Sequence, residues 1–247
     1  MKIGILGLGE VGQAIKEVYL NAENYDYDIR VNDKKLGDDF AIDMEYLHIC
    51  IPYNENFIDE VVANSKRCPS ATVIIHSTVP VGTTKKINEL LGGSYAVHSP
   101  IRGVHPKLYE GVKTFVKYIG TDDEKVGEVV LGHFCKDLGL RGNLVIGSKN
   151  TELGKLISTT YYAHCIAFTE YVNNLCEMTK TDFYIVMTHF NNSYNEGYTK
   201  LGKANVVRPT LYPPKGKIGG HCQIPNAKIL KEQFGESEVL KMILDLE

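Results

Sequence analysis

The sequence predicts an α/β protein, doubly wound around a parallel sheet, with an all-helical second domain after it. Over residues 1–148, short apolar runs alternate with polar stretches of helical spacing, as β-α-β units require. A glycine cluster sits directly between the first apolar run and the first helical stretch. Beyond Asn150 the alternation stops, and a long proline-free stretch of helical character begins.

The first strand is read at residues 2–6. It leads straight into glycines rather than into a small-residue cleavage site, so it is a strand and not a secretion signal. Further strands are expected at 29–31, 47–51, 72–76, 95–98, 118–119 and 144–146, and Val73, Ile74 and Ile75 form the continuous apolar run of a strand buried on both faces. Helices are expected at 13–20, 56–65, 83–91 and 123–138, the last with Val126, Val129, Val130 and Phe134 on one face. The second domain, 149–247, opens with one helix over 151–179. Its apolar residues, among them Leu153, Leu156, Ile157, Ala163 and Leu175, cover most of the circumference, so it is expected to be buried between elements or between two subunits of a homodimer. Tyr161 and Tyr162 are read there as core packing. Residues 191–220, rich in Gly, Pro, Asn and Lys, read as a long functional loop. A final helix over 227–246 has an interruption at Gly235.

At 247 residues with 43% hydrophobic content, the chain is long enough to bury a core without disulfides or a structural metal. A net charge of −3 supplies no basic face for nucleic acid or an anionic membrane. No apolar run approaches a membrane span of about 18 residues, so a cytoplasmic location is expected. The six cysteines contain no C-x-x-C pair, and the eight histidines contain neither H-x-x-H nor H-E-x-x-H, so free thiols and no metal are expected. Cys50, Cys135, Cys165 and Cys176 read as inert core thiols.

Gly7, Gly9 and Gly12 spell G-L-G-E-V-G between a strand and a helix, and Asp33 ends the next strand 21 residues beyond Gly12. In that context Gly7 makes the tight turn, Gly9 lets backbone approach a pyrophosphate, and Gly12 lets helix and strand pack closely. The N–H groups at the helix start, around Glu10 and Val11, would face the phosphates. Asp33 would accept hydrogen bonds from a ribose and repel a 2′-phosphate. The expectation is a Rossmann-type domain that binds NAD, although Lys34 and Lys35 beside Asp33 leave room for some NADP.

Four further segments stand out: H-S-T-V-P-V-G-T-T from His76, H-S-P-I-R-G from His98, E-L-G-K-L from Glu152 and G-K-I-G-G-H-C-Q-I-P from Gly216. The first two follow strands, at the carboxyl edge where open α/β sheets bind ligands. His76 and His98 there either line the cofactor cleft or cap the sheet. Cys222 follows two glycines and a histidine and has the makings of a nucleophile; Lys155 is an acid, base or electrostatic stabiliser.

Together with the strand ending C-I-P at Pro52, these segments in this order resemble the UDP-glucose/GDP-mannose dehydrogenase family of nucleotide-sugar dehydrogenases over nearly the whole chain. The resemblance implies an NAD-dependent enzyme that oxidises a sugar alcohol through a thiohemiacetal and a thioester on cysteine. It places Cys222 as nucleophile, Lys155 as stabiliser of the oxyanion, Thr78 beside water and substrate, and Thr159 and Asn226 at two further catalytic positions. The cofactor contacts it implies are Gly7, Gly9, Glu10, Val11, Gly12, Asp33, Pro52 and Thr78. Three of these family positions are altered: Ile101 stands where the family has Glu, Thr159 where it has Asn, and Asn226 where it has Asp. His105 or Glu110 is a candidate substitute for the lost carboxylate. The sequence is also expected to lack the family's C-terminal nucleotide-sugar domain. Two alternatives stay open: a two-electron oxidoreductase akin to the 3-hydroxyacid dehydrogenases, and an NAD-binding protein or subunit without turnover.

Overall fold

Apolar residues alternate between two faces along each short strand, so the sheet must be covered on both sides. The computed structural model describes all residues except Asn24, Ala41, Ile42, Lys215 and Gly219, Gly220 and His221. Its chain divides into two compact units, Met1–Lys155 and Leu156–Glu247.

In the first unit the elements run β1 (Lys2–Leu6), α1 (Glu10–Leu20), β2 (Asp28–Asp33), β3 (Gly37–Asp38), β4 (Tyr46–Ile49), α2 (Phe57–Arg67), β5 (Thr72–Ile75), α3 (Thr83–Leu91), β6 (Ala96–His98), α4 (Leu108–Thr114), β7 (Lys117–Thr121), α5 (Glu124–Gly132) and β8 (Gly142–Ile146). A π-helical turn, His133–Asp137, continues α5. Among the described residues these strands form one sheet in the order β3-β2-β1-β4-β5-β6-β7-β8. Strands β2, β1, β4, β5 and β6 are parallel. The sheet is thus mainly parallel, as expected, with two antiparallel pairings: β3 with β2, and β7 with β6.

One side of the sheet buries Ile3, Ile5, Ile74 and Val97 with Ile15, Val18, Val112 and Val130 from α1, α4 and α5. The other buries Leu6, Leu47, Ile49, Val73 and Ile75 with Phe57, Val61 and Ile87 from α2 and α3. Helices on both faces of a mainly parallel sheet make this a doubly wound Rossmann-type fold.

The second unit is helical. It contains most of α6 (Ser148–Thr179), then a π-helical stretch Tyr184–His189 running into α7 (Phe190–Lys200), α8 (Gln223–Phe234) and α9 (Glu238–Leu244). The expected loop over 191–220 is therefore helical in its first third. Its local composition is overruled by side-chain contacts: Tyr194 stacks on Tyr198, the Arg208 guanidinium lies 4.1 Å from the Tyr194 ring centre, and Asn195 bonds both backbone groups of Arg208. Gly235, at φ +87°, ends α8 in a conformation that L side chains avoid, which explains the interruption in the last helix. Within the chain α6 is not wrapped on all sides: Tyr161 and Tyr162, read as core packing, are exposed instead, as are Ile157, Phe168 and Tyr171. All six cysteines are free thiols; Cys135 is exposed and Cys165 half-buried rather than both being core. Among the described residues no helix is long and apolar enough to cross a membrane.

Candidate active site

Because β1, β4, β5 and β6 run in one direction, the residues that follow them share one edge. Strand β1 is followed in sequence by a neighbour on one side, β2, and later by one on the other, β4, so the sheet's switch point lies between β1 and β4. Gly7, at φ +87°, sits there; a Cβ on it would lie 2.8 Å from the Ile51 side chain and 3.2 Å from the Cys50 backbone. Gly12 is tighter still, since its Cβ would lie 2.0 Å from the Gly7 carbonyl oxygen. At Gly9, by contrast, a Cβ would have no atom within 4 Å. Gly9 is also the N-cap of α1 and gives no side-chain cap to the helix N–H groups that follow, at Glu10, Val11 and Gly12.

Asp33, the last residue of β2, accepts the Leu8 N–H at 2.8 Å and the Lys35 N–H at 2.9 Å. The Leu8 bond, then the Lys35 bond, hold its carboxyl below the usual carboxylate range. Each oxygen keeps acceptor capacity for a hydroxyl. An open backbone approach at Gly9, uncapped N–H groups and a carboxylate tethered to the glycine turn together fit a dinucleotide. Pro52 follows β4 and half-buried Thr78 follows β5 on the same edge. Glu10 is turned to His105, with which it pairs, so His105 is engaged on the glycine side.

Glu152 is a fully buried carboxylate that accepts the Gly82 N–H at 2.5 Å, the Thr84 N–H at 2.8 Å and the Thr84 hydroxyl at 2.7 Å. It thereby caps the start of α3 and ties the segment after Thr78 to the first turns of α6, where carboxylate charge is favoured by the helix end. Sequence reasoning saw Glu152 only as part of a motif. One turn of α6 further, Lys155 closes this unit on the same face as Thr151, whose hydroxyl bonds His98 Nδ1 at 2.9 Å. His98 also bonds the Ser77 carbonyl, and burial pushes it down to about 3, with the Lys117 and Lys155 charges adding to the effect. Ile101 is buried in the core beneath α1 and α4.

In the second unit, Cys222 is the half-buried N-cap residue of α8, and its carbonyl accepts the Asn226 N–H at 3.1 Å. The buried Asn226 amide donates to Thr159 Oγ1 at 2.8 Å, and the Thr159 hydroxyl donates to the Leu156 carbonyl at 2.9 Å. Thus two of the altered positions meet each other, and the single hydroxyl proton of Thr159 is committed to backbone. Gly219, Gly220 and His221, which precede the cysteine, lie outside the described residues. Among the described residues no group of three or more His, Cys, Asp or Glu is placed to hold a metal ion.

No family model matches the sequence, and no curated protein does. Solved structures do match in fold. The UDP-D-ManNAc dehydrogenase from Pyrococcus horikoshii aligns over 100% of this chain and 68% of its own, with a TM-score of 0.80 and 17% identity. The UDP-glucose dehydrogenase from Pyrobaculum islandicum aligns over 99% and 67%, with 0.69 and 17%. Mycobacterium tuberculosis 3-hydroxyisobutyrate dehydrogenase aligns over 99% and 91%, with 0.70 and 13%. The chain therefore has the fold of these dehydrogenases, a Rossmann-type sheet with a helical region after it, and spans about two thirds of the length of the nucleotide-sugar enzymes among them.

Proposed function

We propose that this protein is an NAD-dependent oxidoreductase acting on a CH–OH carbon, with a nucleotide sugar as its substrate. The observation that carries the reading is the glycine turn at the switch point: Gly9 leaves open approach, Gly12 is barred from any side chain by the Gly7 carbonyl, and Asp33 is bonded to the same turn. Residues 1–148 would hold the cofactor, and 149–247 would carry the rest of the catalytic groups.

When bound, NAD supplies a nicotinamide ring that takes up the hydride of the alcohol carbon. The uncapped N–H groups of Glu10, Val11 and Gly12 bind the pyrophosphate, and Asp33 accepts the ribose hydroxyls and disfavours a 2′-phosphate. Pro52 and Thr78 border the nicotinamide end of the edge. Lys155 stabilises the negative charge that develops on the substrate oxygen. Cys222 adds its sulfur to the resulting carbonyl carbon. With Thr159 and Asn226 bonded to each other, no carboxylate stands at the position that would activate water, so release of an acid product is the slow half of the reaction.

The test is NADH formation from a panel of UDP- and GDP-sugars by wild type, Lys155→Ala and Cys222→Ala. Turnover that dies with Lys155→Ala supports the reading, and equal product from wild type and Cys222→Ala rejects the cysteine adduct. The exposed stripe Ile157, Tyr161, Phe168 and Tyr171 on α6 is proposed to seat a second copy of the chain; a monomer in sedimentation at micromolar concentration would reject that.

A further inference from the structure

A row of polar side chains crosses the interior of the first unit. Lys117 Nζ, at the start of β7, lies 2.6 Å from the Ser99 carbonyl oxygen, 3.2 Å from that of Pro100 and 3.3 Å from His76 Nδ1. His76 Nε2 lies 2.8 Å from His48 Nδ1, His48 Nε2 lies 2.7 Å from the Tyr19 hydroxyl, and that hydroxyl lies 2.8 Å from His133 Nε2. His133 Nδ1 ends the row 2.8 Å from Asp137 Oδ2. The side chain of His133 is 1% exposed and that of Asp137 23%, so the row begins beside the ligand edge and surfaces at Asp137. We propose that Lys117, His76, His48, Tyr19, His133 and Asp137 form a proton relay between the ligand edge of the sheet and solvent.

Hydrogen-bond accounting gives the row two states with no heavy atom moved; the first sets an unprotonated His76 Nδ1 2.7 Å from the Ser99 carbonyl oxygen, and the second puts a proton between them. With Lys117 as an ammonium, its three protons go to Ser99 O, Pro100 O and His76 Nδ1. His76 Nε2–H then donates to His48 Nδ1, His48 Nε2–H to Tyr19, Tyr19 O–H to His133 Nε2, and His133 Nδ1–H to Asp137. With Lys117 as a free amine, its two protons go to the carbonyls and its lone pair faces His76 Nδ1–H, which also suits the 2.7 Å contact of that nitrogen with Ser99 O. Every donor in the row then reverses, and His133 carries both ring protons beside the Asp137 carboxylate. Passage between the states breaks four N–H or O–H bonds and forms four, moves one positive charge from Lys117 to His133, and needs no redox partner. A proton then leaves through Asp137.

The electrostatics suit the task. Burial pushes Lys117 down to about 7, opposed by Cys50 and assisted by the charge of Lys155. Burial also holds His48 and His76 well below the ordinary histidine value, with His133 and Lys117 adding to it at His48, and Lys117 and His48 at His76, so both stay neutral and change tautomer rather than charge. His133 is lowered by burial against the pull of Asp137 and Glu45, with Tyr46 stacked on its ring. The His133 imidazolium is thus the transient form. On the dehydrogenase reading, on which this use of the relay rests, the exported proton is the hydroxyl proton an alcohol loses as its hydride departs.

The test is 15N NMR of the full chain labelled at histidine, without cofactor or substrate, from about pH 5.5 to about pH 8.5. As pH rises, His76 and His48 should switch together from Nε2–H to Nδ1–H. Lys117→Met should lock both as Nδ1–H, and Tyr19→Phe should leave their switch intact while His133 keeps its Nδ1–H. Wild-type rings that hold one tautomer throughout, or a switch that survives Lys117→Met, overturn the relay; the wild-type titration alone suffices if a variant does not fold. NADH formation is read separately: its absence would remove the oxidoreductase reading and leave the NMR result standing, whereas fixed tautomers in an active enzyme would remove the relay alone.

Discussion

Glu152→Gln is the most searching perturbation of the ligand edge. The carboxylate receives three bonds, from two backbone N–H groups and one hydroxyl, in a site with no solvent to replace them. Glutamine keeps one carbonyl oxygen, which can serve Thr84, but its amide group then faces the Gly82 N–H donor to donor. One charge-assisted bond is lost, a buried donor is left without a partner, and the favourable charge at the start of α3 disappears. Together these cost about 2 to 4 kcal/mol. For a domain of this size that is a fall of roughly 5 to 15 °C in Tm, read by circular dichroism. Glu152→Ala, which removes every acceptor, should fall further. Hydrogen exchange at the Gly82 and Thr84 amides should accelerate in both variants, since the segment after Thr78 loses its tether to α6. A Tm within about 2 °C of wild type, with unchanged exchange at those two amides, would refute the assignment of Glu152 as the cap.

Gly12→Ala would force a Cβ against the Gly7 carbonyl oxygen, so the turn must open; NAD affinity by calorimetry should drop at least tenfold, by about 1.4 kcal/mol or more. Asn226→Asp restores a carboxylate near Cys222 and should raise the rate of acid release from a sugar substrate by about tenfold or more, measured by product chromatography after NADH formation. Stability should climb with pH. Lys117 titrates near 7 in the folded chain but at the ordinary 10.5 when unfolded, so between those values the unfolded chain holds the extra proton and unfolding becomes harder as pH rises. His48 and His76, lowered by burial, act in the same sense as pH approaches about 6.5 from below. Denaturant midpoints should therefore increase from about pH 5 to about pH 9, and the upper part of the rise should vanish in Lys117→Met; the reverse order of midpoints would show that these groups are not buried as described.

Much of the first unit was legible because buried strands write themselves as apolar runs. Strands β1, β4 and β5 lie where such runs stand, and α3 matches its expected bounds of 83–91. What escaped was fixed by contacts distant in sequence. Helix α4 follows Pro106 and contains Gly111, yet it forms because Leu108 and Val112 bury against the sheet and Gly111 packs against Gly103, where a Cβ would meet backbone at 2.5 Å. Helix α1 begins at Glu10 rather than at residue 13, since Gly12 serves packing inside the helix instead of breaking it. Among the site residues, Gly7, Gly9, Gly12 and Asp33 could be read from spacing because the dinucleotide turn is local. The interior row could not: Tyr19, His48, Lys117 and His133 belong to four elements and His76 to the segment after β5, and each alone looks like an isolated polar residue in an apolar run. A histidine inside L-H-I, between two fully buried neighbours, was the one available hint that a polar partner must be supplied from elsewhere.

The antiparallel pairing of β7 with β6 decides where α6 can take its side chains. Strand β8 runs alongside β7, so the chain leaves it below the ligand edge, where the Ser148 N–H bonds Asp122. From there the first turns of α6 climb past Gly120 and His98 at Thr151, reach the start of α3 at Glu152, and arrive at Lys155. Had the sheet continued parallel, the helix after its last strand would have started at the ligand edge and led away from it. One reversed strand thus gives this architecture a helix that approaches the ligand edge from beneath, and a residue inserted between Glu152 and Lys155 would rotate Lys155 by about 100° while Thr151 keeps its place against β6 and β7.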